Sequence, residues 1–223
     1  MVLKRSVFLM GLIFLLCSCS GGNTVEIIKN TEKTEEWEIY TETPKLSTKN
    51  VFAENINADI QKRVDDTLQS FKDEAGKSEG KDDALNATSF VSFSKNGILS
   101  VVIDCEKYTG GVHGELGRIV KNLDMQNEKE LAFCDLFSDE KFPDRINAYI
   151  EQVMQDKPTK YKDIWKKPVV DADELFYLSD AGVVIYYLPY ELSYYSRGFV
   201  EFEIPYEELE GYIKPEYLER LCK

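Results

Sequence analysis

The chain has 223 residues, with 27 Lys plus Arg against 40 Asp plus Glu, a formal charge of −13, and a single His. At 43% hydrophobic and 12% aromatic residues it is too apolar for a disordered acidic chain and long enough to bury a core. The acid excess argues against a basic phosphate-binding face, and so against nucleic acid as a partner; one His argues against His-rich metal sites.

The N-terminus reads as a leader. Lys4 and Arg5 precede a short apolar run at residues 7–16 (VFLMGLIFLL), of signal-peptide length and short for a bilayer span. Leu16-Cys17-Ser18-Cys19 follows, and a small residue before Cys with Leu three positions upstream resembles a bacterial lipobox. The resemblance implies residues 1–18 as a lipoprotein signal peptide and a lipid on Cys19. One acyl chain anchors only marginally, so stable retention takes more than one. Residues 1–18 carry Lys4 and Arg5 and no acid, so cleavage leaves 25 − 40 = −15. The expected location is the cell envelope, lipid-anchored, at the outer membrane or facing the periplasm in a diderm cell. Beyond Cys19, three Cys remain: Cys105, Cys134 and Cys222. They allow at most one internal disulfide, and Cys105 is expected as a buried free thiol on a strand.

Residues 19–35 are polar and without periodicity and read as a flexible tether. A first strand is expected over residues 37–46, ending near Pro44. Phe52, Ile56, Ile60, Val64, Leu68 and Phe71 recur every three or four residues and predict a core-facing helix. Residues 76–83 are a charged break. Strands are then expected at residues 89–94, 98–108 and 116–125, the first two joined by a hairpin at Asn96-Gly97. A second helix is expected over residues 141–155. Residues 176–178 and 182–188 predict another hairpin, 199–204 a last strand, and Pro205 to Leu209 a short terminal helix. The predicted class is α+β: a mostly antiparallel sheet with two main helices packed against it. Residues 36–128 form an N-terminal subregion and 129–223 a C-terminal one, packed as one compact unit.

Two segments are candidates for chemistry. Residues 108–114 (YTGGVHG) hold Tyr108, Gly110, Gly111 and His113, the only His. Their glycines imply torsions that side chains forbid. His113 reads either as a general base or ligand residue or as part of a tight turn with local hydrogen bonds, and residue type alone favours the turn. No Gly-Lys-Ser/Thr phosphate loop is present. Asp171-Ala-Asp173-Glu174 lacks the Gly of a calcium loop and reads as a solvated turn. No metal site and no cofactor is expected. The other segment is the tyrosine cluster. Tyr186, Tyr187, Tyr190, Tyr194, Tyr195 and Tyr206 lie close together; one of each adjacent pair in a strand is buried, whereas Pro189, Tyr190, Tyr194 and Tyr195 fall in a loop. A flat apolar ring with a polar tip suits protein and sugar surfaces.

With these segments go 130–137 (ELAFCDLF), 176–187 (FYLSDAGVVIYY), Pro189-Tyr190-Glu191-Leu192 and 202–206 (FEIPY). In that order they resemble the extracellular, lysozyme-binding region of the anti-sigma-V factors. They also resemble the related N-terminal module of peptidoglycan deacetylases and lipoproteins carrying a domain of unknown function. The resemblance covers about residues 35–215. It implies an α+β binding module and, by position, a ligand surface at the Pro189–Tyr195 loop. No transmembrane helix, sigma-binding segment or deacetylase metal site is expected here, which leaves the module on a lipid anchor. The leading expectation is a non-catalytic envelope lipoprotein that binds a basic protein such as lysozyme, or peptidoglycan. The alternatives are a peptidoglycan hydrolase using His113 and a structural envelope component.

Overall fold

The computed structural model describes residues 25–77 and 82–222, together with the backbone of residues 8–9 and 14–17. Cys19 and the cleavage position expected before it lie outside the described residues, as do most of residues 1–18. The class is α+β, with nine strands from Val25 onward in two mostly antiparallel sheets. Two compact units divide the chain: residues 1–91 with 102–119, and residues 92–101 with 120–223.

In the first unit, β1 (Val25–Lys33) and β2 (Trp37–Leu46) form an antiparallel hairpin. Phe8–Leu9 and Phe14–Cys17 also pair antiparallel with β1. Residues 25–33 therefore correct the tether expected over 19–35. The reason is visible in their burial: from Glu26 to Glu32 the side chains are half-buried on both faces, so no apolar alternation marks the strand. Pro44 does not end β2 but sits within it opposite Ile27. From β2 the chain crosses through helix α1 (Val51–Glu74) to β3 (Asp83–Lys95), which pairs parallel with β2 at Trp37–Thr41. This is a parallel crossover within an otherwise antiparallel arrangement.

α1 follows its sequence pattern. The Asn50 side chain caps it, accepting from the Ala53 N–H at 2.8 Å, which satisfies one otherwise unpartnered donor of the first turn. Ala53, Ile56, Ile60, Val64 and Phe71 are buried. On the opposite side, Lys62–Asp66 and Arg63–Asp59 make i,i+4 pairs, worth only a few tenths of a kcal/mol each. The Asn57 amide completes the docking: Oδ1 accepts from Leu46 N–H at 2.8 Å and Nδ2 donates to Leu46 O at 3.0 Å. Phe71 meets Trp37 edge to face at 6.2 Å and packs with Ile39 and Leu85.

β3 turns through Asn96 and Gly97, both at positive φ, into β4 (Ile98–Tyr108), and β5 (Glu115–Asp124) follows. Each of these three strands has residues in both units. In the first unit the strand order is β1-β2-β3-β4-β5.

In the second unit, β6 (Lys129–Glu130) pairs with the end of β5. A 3₁₀ turn at Phe133–Leu136, α2 (Phe142–Asp156) and the short α3 (Pro158–Tyr161) come next. The second sheet is β7 (Phe176–Leu178), β8 (Gly182–Tyr187) and β9 (Val200–Pro205), in the order β9-β8-β7 and all antiparallel. The expected terminal helix is a 3₁₀ turn at Tyr206–Leu209, and a helix not expected from the sequence, α4 (Pro215–Cys222), ends the chain.

The core of this unit gathers the apolar face of α2 (Phe142, Ile146, Ile150), the inner face of the small sheet (Phe176, Ile185, Phe202) and Phe133. A buried polar chain runs through it. Ser92 and Ser100 hydroxyls lie 2.9 Å apart, the Ser100 hydroxyl donates to Asn122 Oδ1 at 2.7 Å, and Asn122 Nδ2 donates to Phe176 O at 2.9 Å. Ser100 also accepts from the Leu178 N–H. The chain carries hydrogen bonds from β3, β4 and β5 to β7, and its members are satisfied, as a buried network requires. No helix among the described residues is long and apolar enough to cross a membrane.

Candidate functional site

The two sets of sequence-predicted residues fall in different units. Tyr108, Gly110, Gly111 and His113 form the connection from β4 to β5 in the first unit. Gly110 and Gly111 take φ of 94° and 98°, a region that excludes most side chains at little cost only for glycine. Around Gly111 there is open space, so the torsion and not crowding requires the glycine. The Tyr108 hydroxyl donates to Gly111 O at 3.1 Å, and His113 Nδ1 lies 2.8 Å from Gly114 O. A carbonyl only accepts, so Nδ1 carries the proton of that contact. His113 is exposed, and Val112 beside it is fully so.

Beside this loop lies a cleft of about 430 Å³ lined by Cys105, Lys107, Gly117, Arg118 and the polar side of α1. His113 is not among its lining residues. Lys107 pairs with Glu74 at 3.0 Å and Glu115 at 2.9 Å, and Arg118 with Asp104. Burial alone would lower the Lys107 pKa, but the two carboxylates outweigh it and raise it. Burial, aided by Asp104, pushes the Cys105 thiol up to about 11. That keeps it protonated and poorly nucleophilic, and it matches the buried thiol expected from the sequence. Cys105, Cys134 and Cys222 are all free, the last two exposed. Among the described residues no group of three His, Cys, Asp or Glu is placed to hold a metal. Asp171 and Glu174 fold into a local turn in which their carboxylates accept backbone N–H groups.

The tyrosines do not follow the alternation expected within a strand: Tyr186 and Tyr187 are both buried, because β8 is the central strand of the small sheet and is buried on both faces along its length. Tyr186, Tyr187 and Tyr206 are core residues. Burial, with Glu174, Glu191 and Asp171 nearby, pushes the Tyr187 phenol far above its ordinary range. After β8 the chain turns outward at Pro189, and Tyr190 adopts φ 72°. The Tyr190 N–H donates to Ser193 O at 3.1 Å, and the Leu188 N–H to a Glu191 carboxylate oxygen. Leu192 and Ser193 are buried beneath the loop, with Ser193 Oγ donating to Asp163 O at 2.9 Å.

These anchors hold the aromatic rings outward. Tyr190 is 55% exposed and Tyr194 61%, and Tyr190 lies 6.1 Å from Tyr195. The residue that sequence reading missed is Trp165. It is 50% exposed, its backbone N–H donates to Leu192 O at 3.0 Å, and its ring meets Tyr194 edge to face at 4.7 Å. Trp165 lies in an irregular stretch before β7, where no local pattern links it to the loop. Trp165, Tyr190 and Tyr194 together make an exposed aromatic surface on a loop fixed from below, the kind of exposed apolar feature that marks interaction sites.

Residues 134–207 match the model of a protein family of unknown function, DUF3298, and residues 30–115 match a model described as deacetylase PdaC. No curated protein matches the chain. Among solved structures, the chain is similar to a DUF3298 family member from Bacteroides fragilis, at 17% identity and a TM-score of 0.63, over 98% of this chain and 97% of that one. It is also similar to a DUF3298 family protein from Pseudomonas aeruginosa, at 17% identity and a TM-score of 0.54, over 95% of each chain. At that identity the likeness is one of fold. The C-terminal part of the chain is thus similar to a domain of unknown function, and the part before it to the deacetylase PdaC model.

Proposed function

We propose that the chain is a non-catalytic cell-envelope lipoprotein, tethered through a lipid on Cys19, that binds a protein or glycan partner through its exposed aromatic surface. The observation that carries this reading is the Trp165–Tyr194 pair: two large rings, each at least half exposed, in edge-to-face contact on a loop whose base is buried. Exposed Trp and Tyr on a pre-organised loop offer flat contact area at low entropic cost. The match of residues 30–115 to a deacetylase PdaC model and the resemblance to the anti-sigma-V extracellular region are consistent with an envelope setting.

The charge supports one class of partner. With the leader removed the chain carries 25 − 40 = −15, and a net acidic surface speeds encounter with basic proteins such as a lysozyme-type muramidase. His113 does not line the cleft next to its loop, and no observation favours the hydrolase reading over the binding one. A pull-down with lysozyme and with purified sacculi, at low and moderate salt, tests the proposal. Retention of either, weaker in salt for lysozyme, supports it; retention of neither at either salt overturns it.

A further inference from the structure

The second unit contains a groove that shares no residue with the Trp165–Tyr194 surface. It has a volume of about 360 Å³ and lies between the end of α2 with α3 and the β9 side of the small sheet, at the lower end of the range for small-molecule sites. Phe202 and Val184 are among its lining residues; Tyr149, Tyr161 and Tyr177 supply rings; Lys157 and Lys160 come from the helical side and Glu201 and Glu203 from β9. Three features of this set point to a ligand.

The first is that groups on its walls have hydrogen-bonding capacity the fold does not use. The Tyr149 hydroxyl and the Lys157 ammonium make no hydrogen bond or ion pair among the described residues. Lys160 has only a cation–π contact with the neighbouring Tyr161 ring, at 5.2 Å. Neither lysine pairs with the carboxylates that line the same groove.

The second is that the other groups are held in place. Tyr161 stacks on Phe202 at 5.2 Å and 17°, and Arg197 lies over its ring at 5.8 Å while donating to Lys160 O at 2.6 Å. The Ser179 hydroxyl donates to Glu203 at 2.6 Å, and the Tyr177 hydroxyl to Glu201 at 3.3 Å. Burial, then Tyr161 and Glu203, raise the Tyr149 pKa, so its hydroxyl remains a donor at neutral pH.

The third is charge. In a chain of net −13, the charged lining of this groove is balanced, two Lys against two Glu. An anionic ligand meets Glu201 and Glu203, and a cationic one meets Lys157 and Lys160. A neutral polyol suits both walls, because each hydroxyl donates to a carboxylate and accepts from an ammonium or phenol, and a pyranose ring has an apolar face for a tyrosine ring.

We infer that this groove binds a short neutral saccharide, with Glu203, Lys157 and Tyr149 as its polar contacts. The test is calorimetric or NMR titration of the full chain in detergent with the trisaccharide of N-acetylglucosamine, with trialanine as comparator. The expected result is saturable saccharide binding. Glu203→Gln and Lys157→Ala each weaken it at least fivefold, Tyr149→Phe weakens it about threefold, and Lys62→Ala, an exposed α1 residue outside the groove, leaves it unchanged. Lys157 is exposed, so its variant also controls for folding. Three outcomes overturn the inference: no saturable saccharide binding at about 10 mM, an affinity near 3 kcal/mol at best; binding of trialanine as tight as that of the saccharide; or binding that Lys157→Ala and Glu203→Gln leave at the wild-type value. Because the groove shares no residue with the aromatic surface, loss of saccharide binding in the groove variants with lysozyme and sacculus retention intact is distinguishable from failure of the aromatic-surface proposal.

Discussion

Arg220 is the residue whose loss the structure prices most clearly. It lies on α4 and grips Asp124 at the end of β5 with two hydrogen bonds, Nη1 to Oδ2 at 2.8 Å and Nη2 to Oδ1 at 2.7 Å. Its Nε donates to Asn96 O at 2.9 Å, and Asn96 Nδ2 donates back to Arg220 O. The Asp124 side chain is fully buried and that of Arg220 is 14% exposed. Breaking a buried pair from one side leaves an uncompensated charge and costs about 3–5 kcal/mol. Asp124 keeps three donors after Arg220→Ala, the N–H groups of Gln126 and Asn127 and the Asn127 amide, which favours the lower end, about 3 kcal/mol.

The Asp124 carboxyl reports the same contact together with the Asn127 donors. Burial pushes the Asp124 carboxyl up, but the hydrogen bonds from Arg220 and Asn127 and the Arg220 charge outweigh it and lower it from 3.8 to about 2. That difference corresponds to about 2.5 kcal/mol at neutral pH. A depressed carboxylate pKa contributes stability above the unfolded value, and the contribution is lost as pH falls from about 4 to about 2. Urea denaturation followed by circular dichroism, at pH 7 and along an acid series, measures both effects. Arg220→Ala is expected to lose about 3 kcal/mol at pH 7, or about 6–12 °C in Tm, and to show a flatter acid limb between pH 4 and 2. Arg220→Lys keeps the charge without the fork and should fall between. A loss under about 0.5 kcal/mol, or an unchanged acid limb, would refute the reasoning.

Other consequences follow from single positions. Cys105 is buried with its thiol pushed up to about 11, while Cys134 and Cys222 are exposed. Mass spectrometry of the native chain treated with a thiol reagent at pH 8 should show Cys134 and Cys222 labelled first and Cys105 only on unfolding. A Cβ at Gly182 would stand 2.1 Å from Ile204 O, a backbone atom of the paired strand. Gly182→Ala should therefore force β8 and β9 apart and cost about 1–3 kcal/mol or more in the same urea assay. A Gly111→Ala substitution meets no neighbour but keeps a positive φ. Its cost is expected near 1 kcal/mol, with no other change in the spectrum of the folded chain.

Much of the fold was legible where one local rule dominated. The α1 stripe gave its helix because its apolar positions share one face, and Asn96-Gly97 gave the β3–β4 hairpin because positive φ is rare elsewhere. β1 was not legible: its side chains are half-buried on both faces, so no period marks it, and only pairing with β2 makes it a strand. α4 did carry a signal, a Pro start with Tyr217 and Leu221 on one face, but so short a helix is stabilised chiefly by its packing. Tyr190 and Tyr194 were separable from the buried tyrosines by their place in a loop, whereas alternation misread the adjacent pair Tyr186 and Tyr187, both buried in a central strand. Trp165 was not attached to them, because the contact that joins it to Tyr194 runs between two irregular segments and leaves no trace in local spacing. The Tyr149 groove is built from three separate stretches of chain, and no motif spans it.

The central claim is that the aromatic surface binds an envelope partner. Its most direct test is the affinity of the full chain in detergent, wild type against Trp165→Ala/Tyr194→Ala, for lysozyme and for purified sacculi. Both rings are exposed, so the double variant should keep its unfolding transition within about 1 kcal/mol of wild type. If the rings are the contact, it should bind at least about 30-fold more weakly, the loss expected of a binding hot spot. Equal binding by wild type and double variant, or binding of neither partner by the wild type, would contradict the account.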